Sequence, residues 1–358
     1  MKILRRYLTR QIVTSVALVL IGLLMLFSFF DLIQQLEDVA KGRYPLMPAL
    51  LLVGLELPGR LYELFPVAVL IGTMFALAQL VLHSEYAVMR TAGVSILALG
   101  RTLAIIGLGF AAVAFAVGEF VAPWSDEAGQ RMKLRQTNAE VKVSAFRSGI
   151  WVKDAGSFVN VGRILHDTTL EQIKVYEFDE SYRLRTISLA RSARYLRENQ
   201  WQLEDVVRTR FAGQGTSVER MPESTWHSVL TPRILNVLLL PPDKMSVGTL
   251  FSYVRHLRDN RQDSARYEIA LWNKIVYPLA VVVMMFLALP FAYMNVREGG
   301  VSTRIFAGIM LGLSFHLLSR LFGHAGMLAG WPPLIAAFAP TALFLGLALT
   351  LIYRLERR

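Results

Sequence analysis

Long apolar runs dominate both ends of the chain, three before and three after one polar block of roughly 145 residues. The runs read as Ile12–Phe30, Leu61–Leu82, Thr102–Ala122, Ile275–Met294, Ile305–Phe322 and Leu334–Tyr353. Each holds about 18 to 22 residues, the length that carries a helix across some 30 Å of hydrocarbon at 1.5 Å per residue. Backbone groups in lipid must bond internally, so the runs are predicted to be transmembrane helices. The first run is too long for a signal-peptide core, lacks a small-x-small cleavage site and continues helically through Asp31-Leu-Ile-Gln-Gln, so it is expected to be retained.

Between Pro123 and Glu268 the period changes. Gly149-Ile-Trp-Val-Lys-Asp and Ser157-Phe-Val-Asn-Val-Gly read as two strands around an Asp-Ala-Gly turn. Gln172–Phe178, Arg183–Leu189 and Trp201–Val207 follow the same alternation of two. Short strands without intervening helices point to a sandwich or jelly roll. Helical pieces frame the block at Asp126–Asn138 and Ser246–Asn260, the second with Ser246 as a candidate N-cap. The predicted fold is an α-helical membrane protein of six transmembrane helices with an inserted all-β domain, a sandwich or a jelly roll. Residues 1–125 hold the first three spans, 126–265 the inserted domain with its flanking helices, and 266–358 the last three spans.

The chain has 358 residues, with 38 Lys and Arg against 27 Asp and Glu, a formal charge of +11. Much of the excess flanks the spans on one side: Lys2, Arg5, Arg6, Arg10, Arg90, Arg101, Arg297, Arg304, Arg354, Arg357 and Arg358 face only Glu85, Glu298 and Glu356. By the positive-inside rule that side is cytoplasmic; both termini lie there, and the polar block is outside. The basic balance is therefore a topology signal, and no basic stripe with interleaved aromatics suggests nucleic acid. Cysteine is absent, so an exported domain would hold together on an ordinary core without disulfides.

Enzyme motifs are missing. No phosphate-binding loop, His-Glu-x-x-His or Gly-x-Ser-x-Gly occurs, the six histidines lack metal spacing, and Glu204-Asp205 reads as solvated structure. No metal or other cofactor is expected on this chain. Charges at the ends of spans are more informative, because lipid makes them costly and turns them towards partners or cavities. Glu56, Arg60 and Glu63 lie at the outer start of the second span with the spacing of a local ion-pair cluster. His316 and Arg320, one turn apart near the outer end of the fifth, read either as a snorkelling pair or as a cationic face for an anionic lipid. Gly308 and Gly312 form a small-xxx-small pair that permits close helix approach. Between the second and third spans, His83-Ser-Glu-Tyr-Ala-Val-Met-Arg-Thr-Ala-Gly-Val-Ser can form a short cytoplasmic helix over 84–93, capped by Ser84 and ended by Gly93. It would present Tyr86, Met89 and Arg90 beside Glu85. A single basic residue suits anionic lipid poorly, so a protein-docking helix is the better reading than an interfacial one.

In order and spacing, several pieces resemble the inner-membrane permeases of lipopolysaccharide export, the LptF/LptG family. They are Ser84-Glu85 with Val88-Met89 and Gly93; Gly118-Glu119-Phe-Val-Ala-Pro123; Gly149–Asp154; Leu230-Thr-Pro232; Tyr267, Trp272, Lys274, Pro278 and Met284-Met285; and Trp331-Pro332-Pro333. The resemblance covers essentially the whole chain. It implies an α-helical membrane protein, a six-helix permease with an inserted periplasmic all-β jellyroll domain, that pairs with a homologous LptF-like permease. An LptB-like ATPase dimer would supply the ATP hydrolysis, and the single span of an LptC-like bridge protein would associate with the complex. Glu85 then matches the acidic residue of the family's coupling helix, with Tyr86, Met89 and Arg90 beside it in the ATPase groove. The family tends to place lysines where the first span emerges outside. Here that stretch is Asp31, then Glu37-Asp38, then Lys41-Gly-Arg43, acidic first and basic later. Lys41, Arg43, Arg60 and Arg320 are the candidates for lipopolysaccharide phosphates, and Phe27, Phe30, Phe65 and Phe315 for an acyl-chain cavity walled by spans one, two and five. The reading expected is an extractor of lipopolysaccharide from the outer leaflet of the inner membrane. The alternatives are the LptF-like role in the same complex, a membrane enzyme acting on lipid headgroups, and a subunit that only transmits force.

Overall fold

Several of these helices run through internal prolines without ending. The computed structural model describes residues 2–42, 44–93, 96–136, 150–154, 157–164, 169–179, 181, 183–197, 199–212, 215–228, 240–260, 262–292 and 301–356. In chain order the helices are α1 (Lys2–Ala40), α2 (Leu46–Leu82), α3 (Glu85–Thr91) and α4 (Ile96–Ala116), followed by a π-turn (Val117–Val121) and α5 (Ala122–Gln136). After the strands come a 3₁₀ turn (Pro242–Lys244), α6 (Val247–Asp259), α7 (Ala265–Ala292), α8 (Val301–Ala329) and α9 (Pro333–Glu356). Among the described residues six helices are long and apolar enough to cross a membrane. They correspond to the six runs.

Two helices extend well past their apolar runs. α1 continues to Ala40 because Asp31 and Gln35 find buried polar partners instead of ending it. α2 begins at Leu46, with Pro58 and Pro66 inside it. Proline is tolerated there when neighbouring helices supply donors to the carbonyls it frees. α2 is the centre of the bundle: 78% of its most apolar window is buried, against 11% for α1 and for α8. One core joins α1, α2, α4 and α7 around Ile12, Val69, Leu103 and Met285. A second joins α2, α7, α8 and α9 around Met74, Met284, Phe315 and Phe344. α4, the π-turn and α5 follow one another without a break through residue 126, so the expected domain limit falls inside helix.

The inserted domain is a six-stranded antiparallel sheet in chain order: β1 (Ile150–Asp154), β2 (Ser157–Ile164), β3 (Leu170–Phe178), β4 (Leu184–Tyr195), β5 (Gln200–Ala212) and β6 (Gly215–His227). One face carries a core of Val159, Val161, Ile173, Val175, Trp201 and Leu203 among others. The strict alternation of two slips by one residue at the same level in three neighbouring strands. The buried positions step from Leu170 to Ile173, from Ala190 to Ala193 and from Leu203 to Val206. Gln172 and Asp205 sit at those slips with φ of 54° and 53°. Such a row of bulges bends a sheet and re-aims its side chains while keeping them on one core. β6 went unread in the sequence, since Gly215–His227 is mostly exposed and shows no alternation; its pairing with β5, from Gln200↔His227 to Ala212↔Gly215, is what makes it a strand.

The returning helix falls on its expected limits, with Ser246 and Asn260 as its caps, whereas the leading helix begins at Ala122 rather than Asp126 because it continues α4 through the π-turn, and its expected end at Asn138 lies outside the described residues. α6 starts at Ser246, whose hydroxyl accepts the N–H of Thr249 at 3.2 Å.

Candidate functional site

At one end of the bundle a chain of charges crosses three helices. Arg60 of α2 grips Asp31 of α1 with two bonds, Nε to Oδ2 at 2.9 Å and Nη2 to Oδ1 at 2.6 Å. Its Nη1 donates to Glu63 Oε2 at 3.1 Å. The other oxygen of Glu63 receives Arg320 Nη2 at 3.0 Å and lies 3.3 Å from His316 Nε2, both on α8. The residue Asp31 is only 4% exposed, a position a carboxylate occupies when it is paired and hydrogen-bonded. The local cluster expected at the start of α2 is thus corrected in one member. Glu56 turns to Lys133 of α5 at 2.8 Å, and Arg60 reaches across to α1 instead. The forked guanidinium takes both oxygens of the Asp31 carboxylate, the bidentate geometry that makes such pairs strong.

The basic candidates differ in what they have to offer. The Arg320 side chain is 65% exposed, with Glu63 as its counter-ion. Arg60 is held between two carboxylates. Lys41 makes a surface pair with Glu37 at 3.5 Å, and Arg43 lies outside the described residues. The aromatic candidates also divide. Phe27 and Phe30 are 36% and 52% exposed on α1. Phe65, however, is buried edge-on against Phe110 with centroids 5.9 Å apart, and Phe315 likewise against Phe344 at 5.2 Å. These two are core residues of the bundle, a correction to their expected place on a cavity wall.

Gly308 and Gly312 face α2. A Cβ on Gly312 would come within 2.7 Å of Val67 Cγ1, and one on Gly308 within 3.0 Å of Met74 Sδ. The close approach that their spacing predicts therefore serves packing inside this chain. Gly72 does the same for α1, where a Cβ would meet Val16 Cα at 2.5 Å, and no paired-glycine spacing marks it.

At the opposite end, α3 is a two-turn helix between Ser84, with φ of 60°, and Gly93, with φ of 85°. The Ser84 carbonyl accepts the Val88 N–H at 3.2 Å. Among the described residues two side-chain contacts tie α3 to the bundle. The Tyr7 hydroxyl of α1 donates to Glu85 Oε2 at 2.8 Å, and Met89 packs on the core that holds Leu8, Leu77 and Leu80. Val88 is left exposed. The side chains of Tyr86 and Arg90 lie outside the described residues. The tie from Tyr7 was not legible in the sequence, because 78 residues separate the partners and no motif marks Tyr7.

The model of the family described as lipopolysaccharide export system permease LptF/LptG matches residues 6–354. The chain belongs to the LptF/LptG family. Individual relatives agree. The lipopolysaccharide export system permease protein LptG of Escherichia coli (strain K12) is 30% identical over 354 residues, covering 98% of each chain. LptG of Haemophilus influenzae is 29% identical over 343 residues, 96% of each. LptF of Escherichia coli (strain K12) is 23% identical over 359 residues, covering 98% of this chain and 94% of that protein. Membership in the LptF/LptG family makes the chain one of a family of transport permeases.

Proposed function

We propose that this chain is the LptG-type permease subunit of a lipopolysaccharide exporter in a Gram-negative inner membrane, with both termini cytoplasmic and the β domain periplasmic. The observation that carries the reading is the match along nearly the whole chain, at 30% identity to LptG against 23% to LptF. In this reading a separate LptB-like ATPase dimer hydrolyses ATP and docks on α3, with Glu85 as the principal contact and Tyr86, Met89 and Arg90 around it. A homologous LptF-like permease completes the membrane unit, and an LptC-like protein receives the lipid. Extraction from the outer leaflet uses the side of the bundle where α1 and α8 are least buried, which supports acyl contact at Phe27 and Phe30.

The headgroup phosphates are assigned to the outer charge chain. Asp31 and Glu63 neutralise Arg60 and Arg320, so the cluster is stable in lipid without cargo. A phosphate that takes the place of Glu63 at Arg320 exchanges one anion for another at little desolvation cost, and Lys41 lies on the same outer side. A photo-crosslinking residue placed at Arg320 in the assembled complex tests this. The expected result is an adduct with lipopolysaccharide, and adducts with phospholipid alone, or none, would remove the headgroup role and leave Arg320 as a snorkelling side chain.

A further inference from the structure

Two of the sequence pieces that mark the family, Gly118-Glu119 through Pro123 and Lys274 through Pro278, have no part in either candidate role, yet they meet. The reason begins with two prolines. In α2, the carbonyl of Tyr62 would bond the N–H of residue 66, but residue 66 is proline and has none. Past α4, the Ala122 N–H bonds the Val117 carbonyl across the π-turn, so the Gly118 carbonyl would turn to residue 123, which is again proline. Each proline leaves one carbonyl in an apolar bundle without its helical donor, which costs unless another donor replaces it.

α7 supplies both donors from one face. Lys274 Nζ donates to the Gly118 carbonyl at 3.1 Å, and the Tyr277 hydroxyl, three residues on, donates to the Tyr62 carbonyl. The Tyr62 ring stacks on Tyr277 with centroids 4.1 Å apart and lies 5.6 Å from the Lys274 ammonium. Only glycine fits at 118, since a Cβ would come 2.2 Å from the Tyr62 ring. Next to this bond Glu119 caps the helix that returns from the β domain. Its carboxylate accepts the Val247 N–H at 2.7 Å and the Gly248 N–H at 3.3 Å, at the positive end of α6. Lys244, just before α6, pairs with Asp126 of α5 at 2.8 Å. The chain's passage to the β domain and its passage back are therefore tied together where they meet the bundle.

We propose that Lys274 and Tyr277 are positioning residues of a hinge lock, which fixes the bends of the two proline-interrupted helices and thereby sets how the membrane helices steer the β domain. Lys274 is only 8% exposed, so a move off the Gly118 carbonyl requires another acceptor. Glu119 lines the same small crevice. Transfer of the ammonium to Glu119 takes that carboxylate from the N-terminus of α6, so releasing the bend also releases the helix leading out of the β domain. Helix angle and β-domain attachment thus switch together.

The inference rests on the transport reading for one of its two readouts. Because the chain has no cysteine, spin labels can be placed cleanly at Leu108→Cys on α4 and Val218→Cys on β6. In the complex with ATPase and partner permease, their distance distribution is expected to shift on ATP binding. Lys274→Met should abolish or broaden that shift and lower lipopolysaccharide transferred per ATP by about tenfold, the scale of one charge-assisted hydrogen bond. Hydrolysis itself should stay within about twofold. Tyr277→Phe, a milder change, should move both readouts in the same direction. An unchanged distance shift and transfer ratio in both variants would overturn the lock, as would transfer and hydrolysis falling in parallel with the melting temperature. A wild-type complex that moves no lipopolysaccharide would sink the transport reading instead, and the distances would still decide the lock.

Discussion

Glu85→Ala is expected to release the ATPase from the purified complex and to stop lipid transfer, while the permease itself stays folded. The carboxylate stands in the first turn of α3, and its one described partner within the chain is the Tyr7 hydroxyl. α3 keeps its place without it, because Met89 remains packed on the core of α1, α2 and α4. Truncating one member of a desolvated charge contact at an interface typically costs about 2–5 kcal/mol, which weakens association about thirtyfold or more. Size-exclusion chromatography of the co-expressed subunits reads the stoichiometry directly, and a melting curve of the permease controls for folding. An unchanged complex with unchanged transfer would remove Glu85 from the coupling role. Tyr7→Phe separates docking from positioning: it leaves the charge in place and takes away one hydrogen bond.

Trp201→Ala is expected to unfold the β domain and leave the membrane bundle intact. Trp201 is the largest fully buried side chain of the chain's described residues, at 0% exposure, with Tyr195 and Trp226 rings 5.2 and 6.3 Å away. Loss of such a ring costs about 3–5 kcal/mol, comparable with the whole stability of a small domain. Among the described residues the sheet's core draws only on its own strands, whereas the cores of the bundle draw on the helices, so the damage should stay local. Hydrogen exchange resolves the two: protection should vanish across Leu170–Ala212 and persist in α2. Retained protection in β3 to β5 would contradict the assignment of Trp201 as the keystone of that core.

What the sequence made legible was what depends on local pattern. Apolar run length located all six spans, Ser246 marked the start of α6, and Gly93 marked the end of α3. Pairings between distant positions stayed hidden. Asp31 reads as a departure from a family of basic residues, yet its sense is fixed by Arg60, 29 positions away on another helix. Phe65 and Phe315 look like any aromatic in a membrane helix; which face they occupy depends on the tertiary packing of α2 and α8. β6 lacks apolar alternation because it is largely exposed and its pairing is with β5. The prolines were visible from the start, but the carbonyls they free point to α7 only once the bundle is assembled.

The central claim is that this chain, as one half of a permease pair, moves lipopolysaccharide at the expense of ATP bound elsewhere. The direct measurement reconstitutes it with the homologous permease and the ATPase in vesicles loaded with lipopolysaccharide, and follows transfer to an added periplasmic acceptor. Transfer that requires ATP, all three proteins and Glu85 is the predicted result; transfer that proceeds equally without this chain, or none with the complete set and ATP, would contradict it.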